Sequence, residues 1–277
     1  MKHYPEFETL LLEQEAGATT LLFKFLNILT RYFSENGSFS REEQTKKLKC
    51  LYGQVIEAHP LMAIFPNLNK YIMDRFIQSN ESIPAIIEEF RSKLNKNIEK
   101  TVEKASSLIQ DGNRVFSFSH SSIVRKSLVS AVQNGKVFFV NTTECRPVNE
   151  AVNLAKFLAR YDIDVSLYTD VAMETALENC NLAFVGTDWY WDGGFVNKIG
   201  TGLIMRLCRE KEIPLYVLTD SSKSMPNPPE DWSKDQHPAS LILAESINNI
   251  SVFNPYFESI PFSGKGGMII DGELKAF

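Results

Sequence analysis

The sequence predicts an α/β protein, with a helical N-terminal domain over residues 1–105 followed by a mainly parallel sheet domain over residues 106–277. Three observations carry this reading. Apolar residues recur at helical spacing as far as about residue 104, short apolar runs of strand length begin after Asp111-Gly112, and helical patterns fill the gaps between those runs. Strands and helices alternating every roughly 20–30 residues give a Rossmann-like sheet, whose ligand-binding groups leave from the carboxyl ends of the strands. A chain of 277 residues is long enough to bury a large core.

The elements follow in order. Leu10, Leu11, Ala18, Leu21, Leu22, Phe25, Leu26 and Leu29 form one helical stripe that ends at Asn36-Gly37-Ser38. Ser40, with Glu43 three residues later, predicts a capping box that opens a second helix. Pro60 and Pro66 predict breaks, and Ser82 with Pro84 opens a long helix carrying Ile86, Ile87, Phe90, Leu94 and Ile98. The expected strands are Val115-Phe116-Ser117-Phe118, Val137-Phe138-Phe139-Val140, Val165-Ser166-Leu167-Tyr168, Leu182-Ala183-Phe184-Val185 and Leu215-Tyr216-Val217-Leu218. Residues 227–238, with Asn227-Pro228-Pro229, read as a polar surface loop or lid.

Composition removes several classes of function. A net charge of -5 and a pI near 5.5 argue against a broad basic face, and no nucleic-acid motif is present, so direct nucleic-acid binding is not expected. Residues 1–15 have neither the basic start nor the apolar run of a signal peptide or membrane span, which points to a cytoplasmic protein. Cys50, Cys145, Cys180 and Cys208 are scattered without zinc-type spacing, so they are expected as reduced thiols, and neither a metal nor a cofactor is expected. Cys145 alone lies near the candidate site, with packing as its expected role.

The richest stretch is Val185-Gly186-Thr187-Asp188, followed by Asp192-Gly193-Gly194-Phe195-Val196-Asn197-Lys198-Ile199-Gly200-Thr201. It reads as strand, polar loop and helix start, in which Gly193-Gly194 lets the backbone approach a ligand and the first helix amides, with Lys198 beside them, hold an anion. A turn before an amphipathic helix gives the same pattern. Ser117-Phe118-Ser119-His120-Ser121-Ser122 follows the first strand, so its hydroxyls and amides can bind phosphate oxygens or simply cap the next helix. His120 can act as acid or base, although no third partner marks a hydrolase triad. Arg146 suits a bidentate phosphate contact oriented by Glu144, or a structural pair with it. Asp170 ends another strand. Trp189, Tyr190 and Trp191 suit stacking on a base or sugar, or packing at a dimer surface.

These segments resemble the family of the alpha, beta and delta subunits of initiation factor 2B, ribose-1,5-bisphosphate isomerase and methylthioribose-1-phosphate isomerase. The similarity rests on Val185-Gly186-Thr187-Asp188, Asn197-Lys198-Ile199-Gly200-Thr201, Thr143-Glu144-Cys145-Arg146-Pro147 and Asn254-Pro255-Tyr256-Phe257-Glu258, with weaker likeness at Ala16-Gly17-Ala18 and at residues 59–67. The resemblance implies that Asp188 stands at the isomerases' catalytic aspartate, that Asn197 and Lys198 contact sugar hydroxyls and phosphate, and that Ser119 stands where isomerases carry a catalytic cysteine. A serine hydroxyl is a far weaker acid than a thiol, so the isomerase reaction loses half of its acid/base pair. Ala16 and His59 also replace arginines. The expectation is an initiation factor 2B-like protein that binds a phosphorylated sugar or nucleotide in a regulatory or binding role, with an altered-site sugar-phosphate isomerase as the alternative. The resemblance further implies a homodimer and protein partners of an initiation-factor-like assembly.

Overall fold

A computed structural model describes residues 4–13, 16–231, 235 and 237–277. Five helices come first: α1 (Pro5–Leu12), α2 (Ala18–Glu35), α3 (Arg41–Ala58), α4 (Ile64–Gln78) and α5 (Ile83–Leu108). The apolar stripe read as one helix is split between α1 and α2, because Glu13 leaves α1 with an extended backbone and Gly17 enters α2 with one. The capping box forms as expected, with Ser40 Oγ accepting from the Glu43 amide and Glu43 accepting from the Ser40 amide. Pro66 does not break the chain. It lies in the first turn of α4, where a missing N–H costs no intrahelical bond.

The main sheet has seven strands in the order β10-β9-β7-β4-β1-β2-β3. These are β1 (Arg114–Ser117), β2 (Phe139–Thr143), β3 (Asp164–Tyr168), β4 (Leu182–Val185), β7 (Leu215–Thr219), β9 (Gly266–Ile270) and β10 (Glu273–Ala276). Every pairing is parallel except that of β10 with β9. The expected α/β class with a mainly parallel sheet is therefore present. β2 starts two residues later than apolarity suggested and runs through Asn141, Thr142 and Thr143, which are buried. Asn141 survives burial by donating to Ala176 O and accepting from Arg114.

Alternate residues of the strands face two cores. Val115, Phe184, Leu218 and Ile269 pack under α2, α4, α5 and α6 (Ser122–Gln133), while Phe116, Val185, Val217 and Met268 pack against α8 (Met173–Leu177) and α9 (Thr201–Glu210). The helical half therefore shares one apolar core with the sheet. A polar seam joins them as well, since buried Thr101 on α5 donates to Thr219 O and accepts from the Gly272 amide.

A second sheet overturns the loop reading of residues 189–198. β5 (Trp189–Trp191), β6 (Gly194–Lys198) and β8 (Phe257–Pro261) form an antiparallel three-stranded sheet, and Asp192-Gly193 is its two-residue hairpin turn. The aromatic run is strand β5, and Asn197-Lys198 end a strand rather than open a helix. Gly194 serves this sheet and not a ligand, because a Cβ there would sit 2.4 Å from Ile260 O on β8. Of the expected loop over residues 227–238, residues 232–234 and 236 lie outside the described residues.

Gly194→Ala should therefore destabilise the fold by at least about 1–3 kcal/mol, since the methyl meets backbone that cannot rotate away. Urea unfolding measures this, and an unchanged midpoint would contradict the close β6–β8 approach.

Candidate functional site

The strand order reverses at β1: β2 and β3 lie on one side, β4, β7 and β9 on the other. Ligand crevices of open parallel sheets form outside the carboxyl ends of strands at such a point. Here the segments leaving β1 and β4 enclose a cavity of about 50 Å³ with the first turn of α2. Its lining includes Ser119, His120, Ser121, Asp188 and Asn197 from the sequence reading, together with Gly17, Thr19 and Lys223. That space admits a few waters or one end of a larger polar ligand.

Each wall has a local cause. Ser119 has φ 64, a left-handed turn that swings the chain from β1 into α6 within four residues. Ser121 caps α6 through the Val124 amide. Gly186, after β4, packs so tightly that a Cβ would sit 2.7 Å from Ser121 Cβ, which brings the two loops together. Asp188 accepts the Ala18 amide at the start of α2 through its side chain, while its carbonyl accepts the Ala63 amide at 3.0 Å. Burial raises the Asp188 carboxyl above its ordinary range, opposed by Lys223 and by the Ala18 hydrogen bond. Burial also lowers His120, reinforced by Arg125, so its imidazole is neutral near pH 7.

Lys223 is the cation of this cavity. It follows β7 in a short turn over Ser221–Lys223, is buried, donates to Thr187 O at 2.7 Å, and has Asp188 and Asp220 as neighbouring charges. Asp220, buried beside it, accepts from the Ser222 amide and hydroxyl, and burial raises its carboxyl with Lys223 opposing. Sequence reading missed Lys223. The available signal was its place just beyond a predicted strand, at the same sheet edge as Ser119 and Asp188.

The remaining expected residues do not line the cavity. Lys198 Nζ sits 3.2 Å from the centre of the Tyr256 ring and 3.8 Å from Glu150 Oε1. Burial lowers the Lys198 pKa, opposed by Glu150, and burial raises Glu150, opposed by Lys198. Ser119 Oγ donates to that same Glu150 Oε1 at 3.1 Å, and the Ser119 amide donates to Cys145 Sγ. Glu150, in the first turn of α7 (Glu150–Ala159), was not singled out from sequence, although an acid in an otherwise apolar helix start was its signal. Asp170 is a structural acceptor for the Cys145 and Arg146 amides. Arg146 donates to Leu241 O, and no ion pair joins it to Glu144. Cys145 is buried, with its thiol held well above the usual range by burial.

The anion expected at the start of α9 is supplied by the chain itself. Glu258 Oε1 accepts the Gly200 and Gly202 amides at 2.7 and 2.9 Å, satisfying that helix terminus and its dipole.

A sequence model described as the initiation factor 2 subunit family matches residues 14–263. The chain belongs to that family. Among its relatives is a Pyrococcus furiosus protein named as translation initiation factor eIF-2B subunit 2-like, 31% identical over 212 residues, covering 76% of this chain and 75% of the relative. Another is ribose 1,5-bisphosphate isomerase of Methanocaldococcus jannaschii, 26% identical over 243 residues, covering 84% and 78%. The crystal structure of translation initiation factor eIF-2B from Pyrococcus horikoshii OT3 shares the fold, with a TM-score of 0.82 at 24% identity over 98% of this chain and 95% of that one. Initiation factor and isomerase relatives thus lie in one family, and no helix among the described residues is long and apolar enough to cross a membrane.

Replacing Lys223 with Met should weaken binding of inorganic phosphate by about 1.5–3 kcal/mol, the value of a charge-assisted hydrogen bond out of bulk water. Calorimetric titration measures it, and an unchanged affinity would remove Lys223 from the site.

Proposed function

We propose that this chain is an initiation factor 2B-like protein whose cavity at the sheet's switch point binds a phosphorylated sugar or nucleotide in a regulatory or binding role. The observation that carries this reading is Ser119. It lines the cavity at the position where the isomerases carry a thiol, and its hydroxyl proton is bound to Glu150. Asp188 supports the reading too, since its carboxylate braces the Ala18 amide and its backbone braces Ala63. Cations are scarce as well. Ala16 contributes none, and His59 is buried, with Nε2 against Leu10 O and burial lowering its pKa.

One observation favours the altered-site isomerase as a second reading. Asp188 and Ser119 line the same cavity, and burial raises Asp188 toward the range of a working acid or base. Turnover separates the two. Purified protein should show no appreciable conversion of ribose-1,5-bisphosphate or methylthioribose-1-phosphate. Robust conversion that disappears in Asp188→Asn, with the melting temperature kept, would establish the isomerase.

The proposal includes a cytoplasmic location, a division into domains at residues 105 and 106, and a homodimer formed through the C-terminal half, with protein partners of an initiation-factor-like assembly. The change from helices to strands falls between Leu108 and Arg114, a few residues beyond that boundary, which itself lies within α5. Phe253 and Ile250 are exposed apolar side chains in that half, which supports an interface. Sedimentation at micromolar concentration should give a two-chain mass, and a monomer at high concentration would refute the dimer.

A further inference from the structure

We propose that Glu150 is a positioning residue that commits the Ser119 hydroxyl proton, so that the Ser119 corner of the cavity accepts a hydrogen bond from a ligand hydroxyl and turns a phosphoryl group away. This rests on the ligand-binding reading above and narrows it to one arrangement of the ligand.

A serine hydroxyl has one proton and two lone pairs. That proton is spent, because Ser119 Oγ donates to Glu150 Oε1 at 3.1 Å. The Ser119 amide is spent as well, on Cys145 Sγ at 3.1 Å. Both donors of Ser119 therefore point into the protein, and only Oγ lone pairs remain for the cavity that the residue lines. The left-handed backbone at φ 64 accompanies the amide's approach to Cys145.

Glu150 can hold the proton because it is paired. Its Oε1 lies 3.8 Å from Lys198 Nζ, both side chains are almost fully buried, and Glu150 Oε2 and Lys198 Nζ make no hydrogen bond among the described residues. Burial pushes the carboxyl up, and Lys198 and the Ser119 hydrogen bond oppose that rise; as a carboxylate beside Nζ the group can only accept. A buried pair with such sparse hydrogen bonding is a poor stabiliser, and its one side-chain hydrogen bond among the described residues is the one Glu150 accepts from Ser119.

Asp188 lines the same cavity on the Lys223 side, where the two charges offset each other. A phosphoryl oxygen set against the Ser119 Oγ lone pairs is repelled, whereas a hydroxyl donates to them. The cavity's ligand-ready donors lie at Lys223 and the first turn of α6, where an anionic group would be received. The ligand is thus read at two ends: an anion beside Lys223, a hydroxyl at Ser119.

The test is calorimetric titration of the intact chain with inorganic phosphate and with ribose 5-phosphate. Ser119→Gly removes the hydroxyl and suits the positive φ. It should weaken ribose 5-phosphate by about fivefold or more while changing inorganic phosphate by less than about twofold, as loss of one neutral hydrogen bond to a ligand hydroxyl requires. Glu150→Met frees the Ser119 proton, and should tighten inorganic phosphate by about threefold while weakening ribose 5-phosphate. Equal weakening of both probes in Ser119→Gly would overturn the inference and leave the ligand site standing, because the hydroxyl would then contact phosphate. Wild-type protein that binds neither probe would overturn both. Should Glu150→Met fail to melt cooperatively, the Ser119→Gly comparison alone decides.

Discussion

The structure depends on how Asp188 is held. Its amide bonds to Val196 O on β6, its carbonyl receives the Ala63 amide before α4, and its carboxylate receives the Ala18 amide of α2. One residue thus ties the small sheet and two N-terminal helices to the carboxyl end of β4. An acid enclosed this way costs desolvation free energy, and the cost is offset by Lys223 and by the helix amide. The cavity exists where these elements meet, so binding and cohesion of the halves share the same atoms. Asn67 on α4 reinforces the junction by donating to Ser222 O and Ser224 O beside the Lys223 turn.

Much of this was legible in the chain. The capping box at Ser40, the long α5 opened by Ser82 and five of the six parallel strands each show a local signal that agrees with the final fold, as a minimally frustrated sequence requires. What escaped was non-local. β6 and β8 pair across some sixty residues, and nothing in Phe257-Glu258-Ser259 announces that Glu258 will cap α9. The polar half of β2 escaped for another reason: Asn141 is buried only because Ala176 O happens to lie within reach.

At the site, the loops were legible and their hydrogen bonds were not. Strand ends at Ser119 and Asp188 follow from pattern, because ligand groups of parallel sheets leave there. That Ser119 would spend its proton on Glu150, or that Lys198 would turn under Tyr256 while Lys223 took the cavity, depends on side-chain directions that no spacing encodes. The family likeness placed the right segments and left their chemistry to be read from distances.

The seam at Thr101 has a consequence for how the molecule is made. Its hydroxyl joins α5 to β7 and to the turn before β10, so a helix synthesised in the first half of the chain is completed by residues emerging last. On the ribosome, α5 can pack against α2 and α4 early, but its seam with β7 and β9 stays open until those strands appear. Such distant contacts slow folding and lengthen the exposure of that seam. Loss of the last dozen residues would therefore be felt at the opposite end of the sequence, in helices that are otherwise intact.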